Sequence, residues 1–333
     1  MPYGTINADS IVNSDGVTSG GAYGFKNRII NGGMVNDQRN AGASQTYTAG
    51  GALAYSVDRF YGFCTGANVT GAQVAGSGAT QFRYRFTGAT SALTVGFGQR
   101  IEQKNSYDLA GSTATLSADL AISATLTTVT WTASYATTTA DTFGTLASPT
   151  VTQIATGTFT VSSTVTNFNA QITVPSAATT GIQIVFTIGA LTAGLTWTIG
   201  NVQLEKGSTA TSFDYRPIGT ELQLCQRYFV KDLQGTNANF LIGVVDSSTS
   251  TDRCGMRFPV TMRTSPTAAL GGTANPRIYD GASAPAITSI GSNNSSNFGA
   301  CLALTASGGG LTVGRAGIII DNTASFITYS AEL

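Results

Sequence analysis

The residues able to do chemistry in this chain of 333 residues are few, and one type is missing: there is no histidine. Without an imidazole, Ser-His-Asp and Cys-His nucleophile systems are ruled out, as are the common His-ligated zinc sites. No Gly-x-x-x-x-Gly-Lys-Ser/Thr word is present to cradle a phosphate, and the glycine-rich words are not followed by a helix pattern, which sets nucleotide binding aside. The hydrolytic chemistry that survives is glycoside cleavage by two carboxylates. Asp58, Glu102, Asp108, Asp119, Glu205 and Asp214 are available for it, but nothing in their spacing singles out a pair. Sugar recognition asks for less: an aromatic face against the ring, and Asp, Asn or Arg against the hydroxyls. Tyr55, Asp58, Arg59, Phe60 and Tyr61 form the densest local cluster of such groups. Its structural alternative has Tyr55, Val57 and one of Phe60 and Tyr61 packed inward while Asp58 and Arg59 pair at a domain edge. Arg83 and Arg85 project together from one segment, toward an anionic glycan, an adjacent subunit or plain solvent. The candidate ligand-binding set is therefore Tyr55, Asp58, Arg59, Tyr61, Arg83 and Arg85, with no catalytic residue, no metal and no cofactor expected.

Strands must position these groups. Phe82, Tyr84 and Phe86 alternate with the two arginines, and Val129, Trp131, Ala133 and Tyr135 repeat the pattern, as do Ile172 and Val174, then Ile182, Ile184 and Phe186. Period two is the mark of a strand with one buried face. Trp131 and Trp197 are in phase with other apolar residues, which places both in a core. Turn residues separate the runs at the spacing of a sandwich or jelly roll, and no long amphipathic helix interrupts them. No fixed repeat of about 20 to 50 residues is visible, which argues against a propeller or β-helix.

The stretch from Leu195 onward is the pivot of the chain. Leu195, Trp197 and Ile199 alternate up to Gly200-Asn201, where the phase slips before Val202 and Leu204; one extra residue in a strand, a β-bulge, has this pattern. Lys206-Gly207-Ser208 ends that strand. Pro217 and the Thr220-to-Gln223 capping-box spacing then predict a helix of about two turns ending near Arg227. Beyond it, residues 227–231, 241–245, 256–262, 318–320 and 326–330 read as strands. Pro259 puts one of them at an edge or bulge, and the stretches around Gly271, Gly281 and Gly308 read as glycine-heavy loops. The expected architecture is all-β: an extended N-terminal arm over 1–26, a jelly-roll or β-sandwich domain over 27–215, a short helical hinge, and a smaller β-sandwich-like domain within 216–333. The arm is too rich in Gly, Ser, Asp and Asn to bury a core alone. It reads either as a loose leader or as a segment that orders against a neighbouring subunit through Ile6, Ile11 and Val12.

Composition bounds the partners. Charged residues make up 10% of the chain and hydrophobic residues 42%, with 40 glycines, the opposite of the highly charged signature of disorder. The 17 basic and 17 acidic residues cancel, so no global field draws in nucleic acid or an anionic membrane, and a near-neutral surface favours self-association. No apolar run reaches the roughly 18 residues of a membrane span, and no charged, apolar secretory leader opens the chain. Cys64, Cys225, Cys254 and Cys301 are scattered without a Cys-x-x-Cys pair, which reads as reduced thiols of a protein made in a cytoplasm.

Several longer words have a familiar form. KNRIINGGMVNDQRNAG from Lys26, YSVDRFYGF from Tyr55, FGQRIEQKNSYDLAGSTATLSADL from Phe97, WTIGNVQLEKGSTATSFDYRPIGTELQLCQRYF from Trp197 and MRFPVTMRTSP from Met256 resemble, in this order, tail-fibre and related virion structural proteins of tailed bacteriophages, including those of cyanobacterial hosts. The ends MPYGTINADSI and ITYSAEL resemble that family too. The resemblance implies a carbohydrate-binding-module-like jelly roll followed by a second β domain, assembly as a homotrimer, docking on other tail proteins through the N-terminal arm, and attachment to host surface polysaccharide. A capsid decoration protein and a polysaccharide depolymerase are the alternatives. The first domain also resembles jelly-roll sugar-binding modules that hold a structural calcium through acidic words near the first and last strands. The matching words here, Asn31-Gly32-Gly33-Met34-Val35 and Gly200-Asn201-Val202, lack the acidic ligands, so no calcium is expected.

Overall fold

The computed structural model describes residues 11–12, 18–19, 25–123, 126–232, 239–292, 295–320 and 325–333. Within the expected arm, β1 (Ile11–Val12) pairs antiparallel with β2 (Thr18–Ser19). The side chains of Ile11 and Val12, and all of Ile6, lie outside the described residues. The chain divides into two compact units, Met1–Glu221 together with Leu333, and Leu222–Glu332.

The first unit is a sandwich of two six-stranded sheets. Its strands are β3 (Gln45–Tyr47), β4 (Ala54–Tyr55), β5 (Phe60–Thr65), β6 (Val69–Ala75), β7 (Phe82–Thr87), β8 (Thr94–Ile101), β9 (Thr113–Ile122), β10 (Thr128–Ala136), β11 (Val151–Thr160), β12 (Thr166–Thr173), β13 (Ile182–Ile188) and β14 (Thr196–Lys206). One sheet runs β11-β10-β13-β8-β5-β4 and the other β12-β9-β14-β7-β6-β3, every named pair antiparallel. After β8 the chain changes sheet at almost every connection, the jelly-roll habit. A single turn of helix, α1 (Gln103–Ser106), bridges β8 to β9.

Alternation explains why these segments are strands. In β13, Ile182, Ile184, Phe186 and Ile188 are buried while the residues between them are partly exposed. Across the sandwich, the Phe97 ring of β8 stacks on Tyr84 of β7 at 4.9 Å and meets Phe86 edge-on at 5.5 Å, with Trp197 of β14 stacked behind Phe86 at 5.4 Å. Fully burying a ring such as Phe97 contributes about 1.5–3 kcal/mol, so this aromatic column is a main source of cohesion between the sheets. The two hydroxyls it buries satisfy each other, Tyr47 and Tyr84 lying 2.7 Å apart. The expected bulge is present: the β14–β9 register shifts between Gly200 and Gln203, and Asn201 has a φ of 45°. Strand β14 ends at Lys206, as the Lys-Gly-Ser word predicts.

The helix α2 spans Ile218–Gln226. Thr220 is thus inside it, and the capping box expected from Thr220 and Gln223 is not the start signal. Pro217 is: its carbonyl accepts the Glu221 amide at 3.0 Å, and the fixed φ of proline suits the entry to a helix. The Glu221 carboxylate is drawn away to Arg216, 3.1 Å off, and to the Asn31 amide, 2.5 Å off.

In the second unit, β15 (Phe229–Asp232), β18 (Thr267–Gly272) and β23 (Ser325–Ser330) form a three-stranded sheet in the order β15-β23-β18. With β16 (Asn239–Ser247), β17 (Ser250–Arg257), β19 (Arg277–Tyr279), β20 (Ile287–Ser292), β21 (Gly299–Ala306) and β22 (Ala316–Ile320), the second sheet runs β19-β22-β16-β17-β21-β20. Val230, Ile327 and Tyr329 from the small sheet share one core with Leu241, Val245, Leu302, Leu304 and Ile319 from the large one. Two sequence expectations are corrected here. Pro259 lies beyond the end of β17 rather than within a strand, because the chain bends there after the Phe258 amide bonds to the Phe298 carbonyl at 3.1 Å. Gly271 is in β18, not a loop; a Cβ there would overlap the Phe326 ring of β23, so the glycine is what lets that ring lie across the strand.

Candidate functional site

On β5, Phe60 and Cys64 face the core, so the residues between them, Tyr61 and Phe63, face the other way. On the neighbouring β8, Val95, Phe97 and Ile101 face inward and Gly96, Gly98 and Arg100 outward. The two glycines make room for the aromatics. A Cβ on Gly96 would overlap the Phe63 ring, and one on Gly98 would come within 3.0 Å of the Tyr61 hydroxyl. Beyond Tyr61, the Arg100 guanidinium lies over its ring at 5.5 Å and over the Phe143 ring at 5.3 Å. Arg100 Nε donates to Gln183 Oε1 of β13 at 3.0 Å, and Nη2 to the Gly144 carbonyl at 2.8 Å, fixing the guanidinium in plane.

Two turns wall this face. One is 50–52, held by the Gly50 amide on the Cys64 carbonyl at 2.9 Å. The other is 143–149, in which the Thr145 amide bonds the Ser148 carbonyl and the Thr150 amide the Phe143 carbonyl. Between them lies a cleft of about 680 Å³ lined by Phe63, Tyr61, Arg100, Gln183, Val185, Leu146 and Pro149 with smaller residues. Its walls are mainly apolar with a few convergent polar groups, the usual make-up of a small-ligand site. Burial pushes the Tyr61 hydroxyl well above the ordinary phenol range, so it is a neutral donor or acceptor throughout the physiological range.

The sequence-derived candidates are dispersed. Tyr61 lines the cleft. Tyr55 lies edge-on to it at 5.9 Å, beneath the Arg39 guanidinium. Asp58 and Arg59 are corrected from ligand contacts to internal supports. Asp58 is 0% exposed, accepting Gln38 Nε2 at 2.8 Å and facing Arg39 at 3.6 Å, whereas Arg59 is 1% exposed and donates to the Arg100 carbonyl at 2.6 Å. Two side chains buried in this way hold the turn in shape and offer nothing to a sugar. Arg83 and Arg85 are on β7, in the opposite sheet, and point away from its core. Arg83 pairs with Asp119 at 3.7 Å, and Arg85 Nε meets Thr198 Oγ1 at 3.3 Å. The structure therefore does not bring them to Tyr61.

The other carboxylates weighed for glycoside cleavage are spread through the fold. Asp108 pairs with Arg28 at 2.8 Å, Glu205 accepts the Thr211 amide, Asp214 accepts the Phe25 amide, and Glu102 is buried. None of them lines the cleft. Among the described residues no cluster of three or more His, Cys, Asp or Glu is placed to hold a metal, no disulfide joins the cysteines, and no helix is long and apolar enough to cross a membrane. At the words matching the calcium site, the Asn31 carboxamide is committed to the main chain of Asn36 and Asp58. Phe63, Arg100 and Gln183 were not among the sequence candidates; the spaced glycines of Val95-Gly96-Phe97-Gly98 are the signal that points to them.

No protein-family model matches the chain, and no curated protein matches it. Solved structures give distant alignments. A family 61 carbohydrate-binding module in complex with β-1,4-galactotriose aligns at 11% identity over 44% of this chain and 88% of its own, with a TM-score of 0.31. The C-terminal family 22 carbohydrate-binding module of Clostridium thermocellum Xyn10B aligns at 14% identity over 47% and 91%, TM-score 0.33. The enzymatically active domain of bacteriophage CBA120 tailspike protein 4 aligns at 16% identity over 54% of this chain and 21% of its own, TM-score 0.32. The fold stated above rests on strand order and packing, not on these alignments.

Proposed function

We propose that the first unit binds glycan, with the sugar lying in the cleft over Phe63. The observation that carries the reading is the outward pair Phe63 and Tyr61, laid on Gly96 and Gly98 and flanked by Arg100 and Gln183. It joins an apolar face for a pyranose ring with planar hydrogen-bonding groups for its hydroxyls. Cleavage by two carboxylates has no seat in a cleft that no carboxylate lines, so the proposed activity is recognition without chemistry.

The proposed setting is a tail fibre of a tailed bacteriophage, assembled as a homotrimer and attached to the other tail proteins through its N-terminal segment. The support for this setting is the run of sequence words given above. Several copies on one particle would raise effective concentration, so a modest affinity per site suffices for host attachment. Printed oligosaccharide arrays probed with the intact chain test the binding. Binding by the native chain that weakens about tenfold in Phe63→Ala supports the reading, and an array with no bound glycan overturns it. Immunogold electron microscopy of virions with antibody to residues 227–333 tests the setting: label on the tail supports a fibre, and label over the head supports a capsid decoration protein instead.

A further inference from the structure

We infer that the cleft selects carboxylate-bearing sugars, the acid being met by Arg100; this rests on the glycan reading above. Among the described residues Arg100 is the one charged residue in the cleft lining, which contains no Asp or Glu. Its side chain is held in one geometry between the rings of Tyr61 and Phe143, so little freedom is lost when it takes a ligand. Of the five N–H groups of a guanidinium, Nε is committed to Gln183, one on Nη2 to Gly144 and one on Nη1 to the oxygen of Leu333, which groups with this unit, and the guanidinium also bonds the Tyr61 hydroxyl; one N–H remains for a ligand. A carboxylate accepts a charge-assisted bond from such an N–H, shorter and stronger than the bond a neutral hydroxyl accepts. The arrangement already holds an acceptor oxygen at its edge, since Leu333 O takes Nη1 at 2.8 Å and the Tyr55 hydroxyl at 2.7 Å. The apolar walls, Phe63, Val185 and Leu146, strengthen a charge-assisted bond by keeping water away from it.

The test compares acidic oligosaccharides on the array, those containing uronic acids, with the same oligosaccharides after reduction of the carboxyl to a primary alcohol. Calorimetry on the best acidic glycan at low and high salt goes with it. The expected result is binding that weakens about tenfold on carboxyl reduction, that weakens as salt rises, and that Arg100→Lys weakens by a similar factor while the variant keeps its circular dichroism spectrum. Glycans that bind equally well after carboxyl reduction would overturn this inference and leave the glycan reading intact. An array empty of both acidic and neutral ligands would overturn the two together. Should Arg100→Lys fail to fold, reduction and salt dependence on the native chain decide alone.

Discussion

Phe63 of β5 lies across Gly96 of β8, in the space where any other residue would carry a Cβ. The floor of the cleft is therefore set by an absence on one strand and a ring on the next. In Gly96→Ala the Phe63 ring must swing outward, since its neighbour in the ladder is fixed by the main chain. Both residues face away from the sandwich core, so the cost in stability is expected at about 1–3 kcal/mol, the range for overpacking, while glycan binding is lost. Thermal unfolding and array binding on one preparation read both effects.

Gly98→Ala gives a different balance. A Cβ there would stand 2.6 Å from the Ile184 carbonyl, part of the β13 main chain, which cannot rotate aside as a ring can. A larger loss of stability than in Gly96→Ala is expected, seen as a lower unfolding midpoint in urea.

Phe63→Ala and Asp58→Ala separate recognition from support. Phe63 is half-buried, and its removal is expected to cost about 1 kcal/mol of stability but about tenfold in glycan affinity, the worth of one aromatic contact. Asp58 is fully buried against Gln38 and Arg39, and its removal takes away an acceptor from the one and an opposite charge from the other. About 3–5 kcal/mol of stability is expected to go, with affinity per folded molecule unchanged. Equal loss of affinity in the two variants would contradict the placement of Asp58.

How far the fold could be read from sequence depends on where its determinants sit along the chain. Ile182, Ile184 and Phe186 announce β13 because the alternation is local, and the Gly200-Asn201 phase slip announces the bulge for the same reason. The Thr220-to-Gln223 spacing misleads because the helix already starts at Ile218 behind Pro217, which leaves Thr220 inside it, where its hydroxyl cannot serve as the N-cap. Gly271 reads as a loop residue until Phe326 is known to cover it. The cleft is the part least marked in the sequence. Tyr55 to Tyr61 has the right residue types, but the backbone turns over at Arg59, with a φ of 72°, and that turn buries Asp58 and Arg59 and leaves only every second residue of β5 facing outward.

The Arg216–Glu221 pair ties the start of α2 to the 27–31 segment. Both side chains are largely buried, and besides Glu221, Arg216 donates to the Ile29 and Asn27 carbonyls. Glu221→Gln keeps an acceptor for the Asn31 amide but removes the charge opposite a buried guanidinium. A loss of about 3–5 kcal/mol is expected, as for one partner of a buried ion pair, and Glu221→Asp, which keeps the charge, is expected to recover part of it. Chemical denaturation of the three proteins checks the order.

The second unit carries two carboxylates whose environments push in opposite directions, and this predicts the shape of its stability against pH. Asp280 accepts main-chain N–H groups from Ala282, Ser283 and Thr312, which hold its carboxyl well below the ordinary carboxylate range. Its contribution is therefore fully present above the unfolded value of about 4 and is lost as pH falls below it. Burial, with no hydrogen-bond partner for Oδ2 among the described residues, raises the Asp232 carboxyl to about 6. Between about 4 and 6 the folded state then holds a proton that the unfolded state has released, so this group lowers stability as pH rises through the window. Asp232→Asn is expected to flatten the decline between pH 4 and pH 6 and to raise the unfolding midpoint of the unit at neutral pH. Asp280→Asn is expected to flatten the acid limb instead, because an uncharged carboxamide has no proton-linked advantage to lose. Calorimetric scans of both variants across pH 2 to 8 would contradict these assignments if the two substitutions altered the same limb.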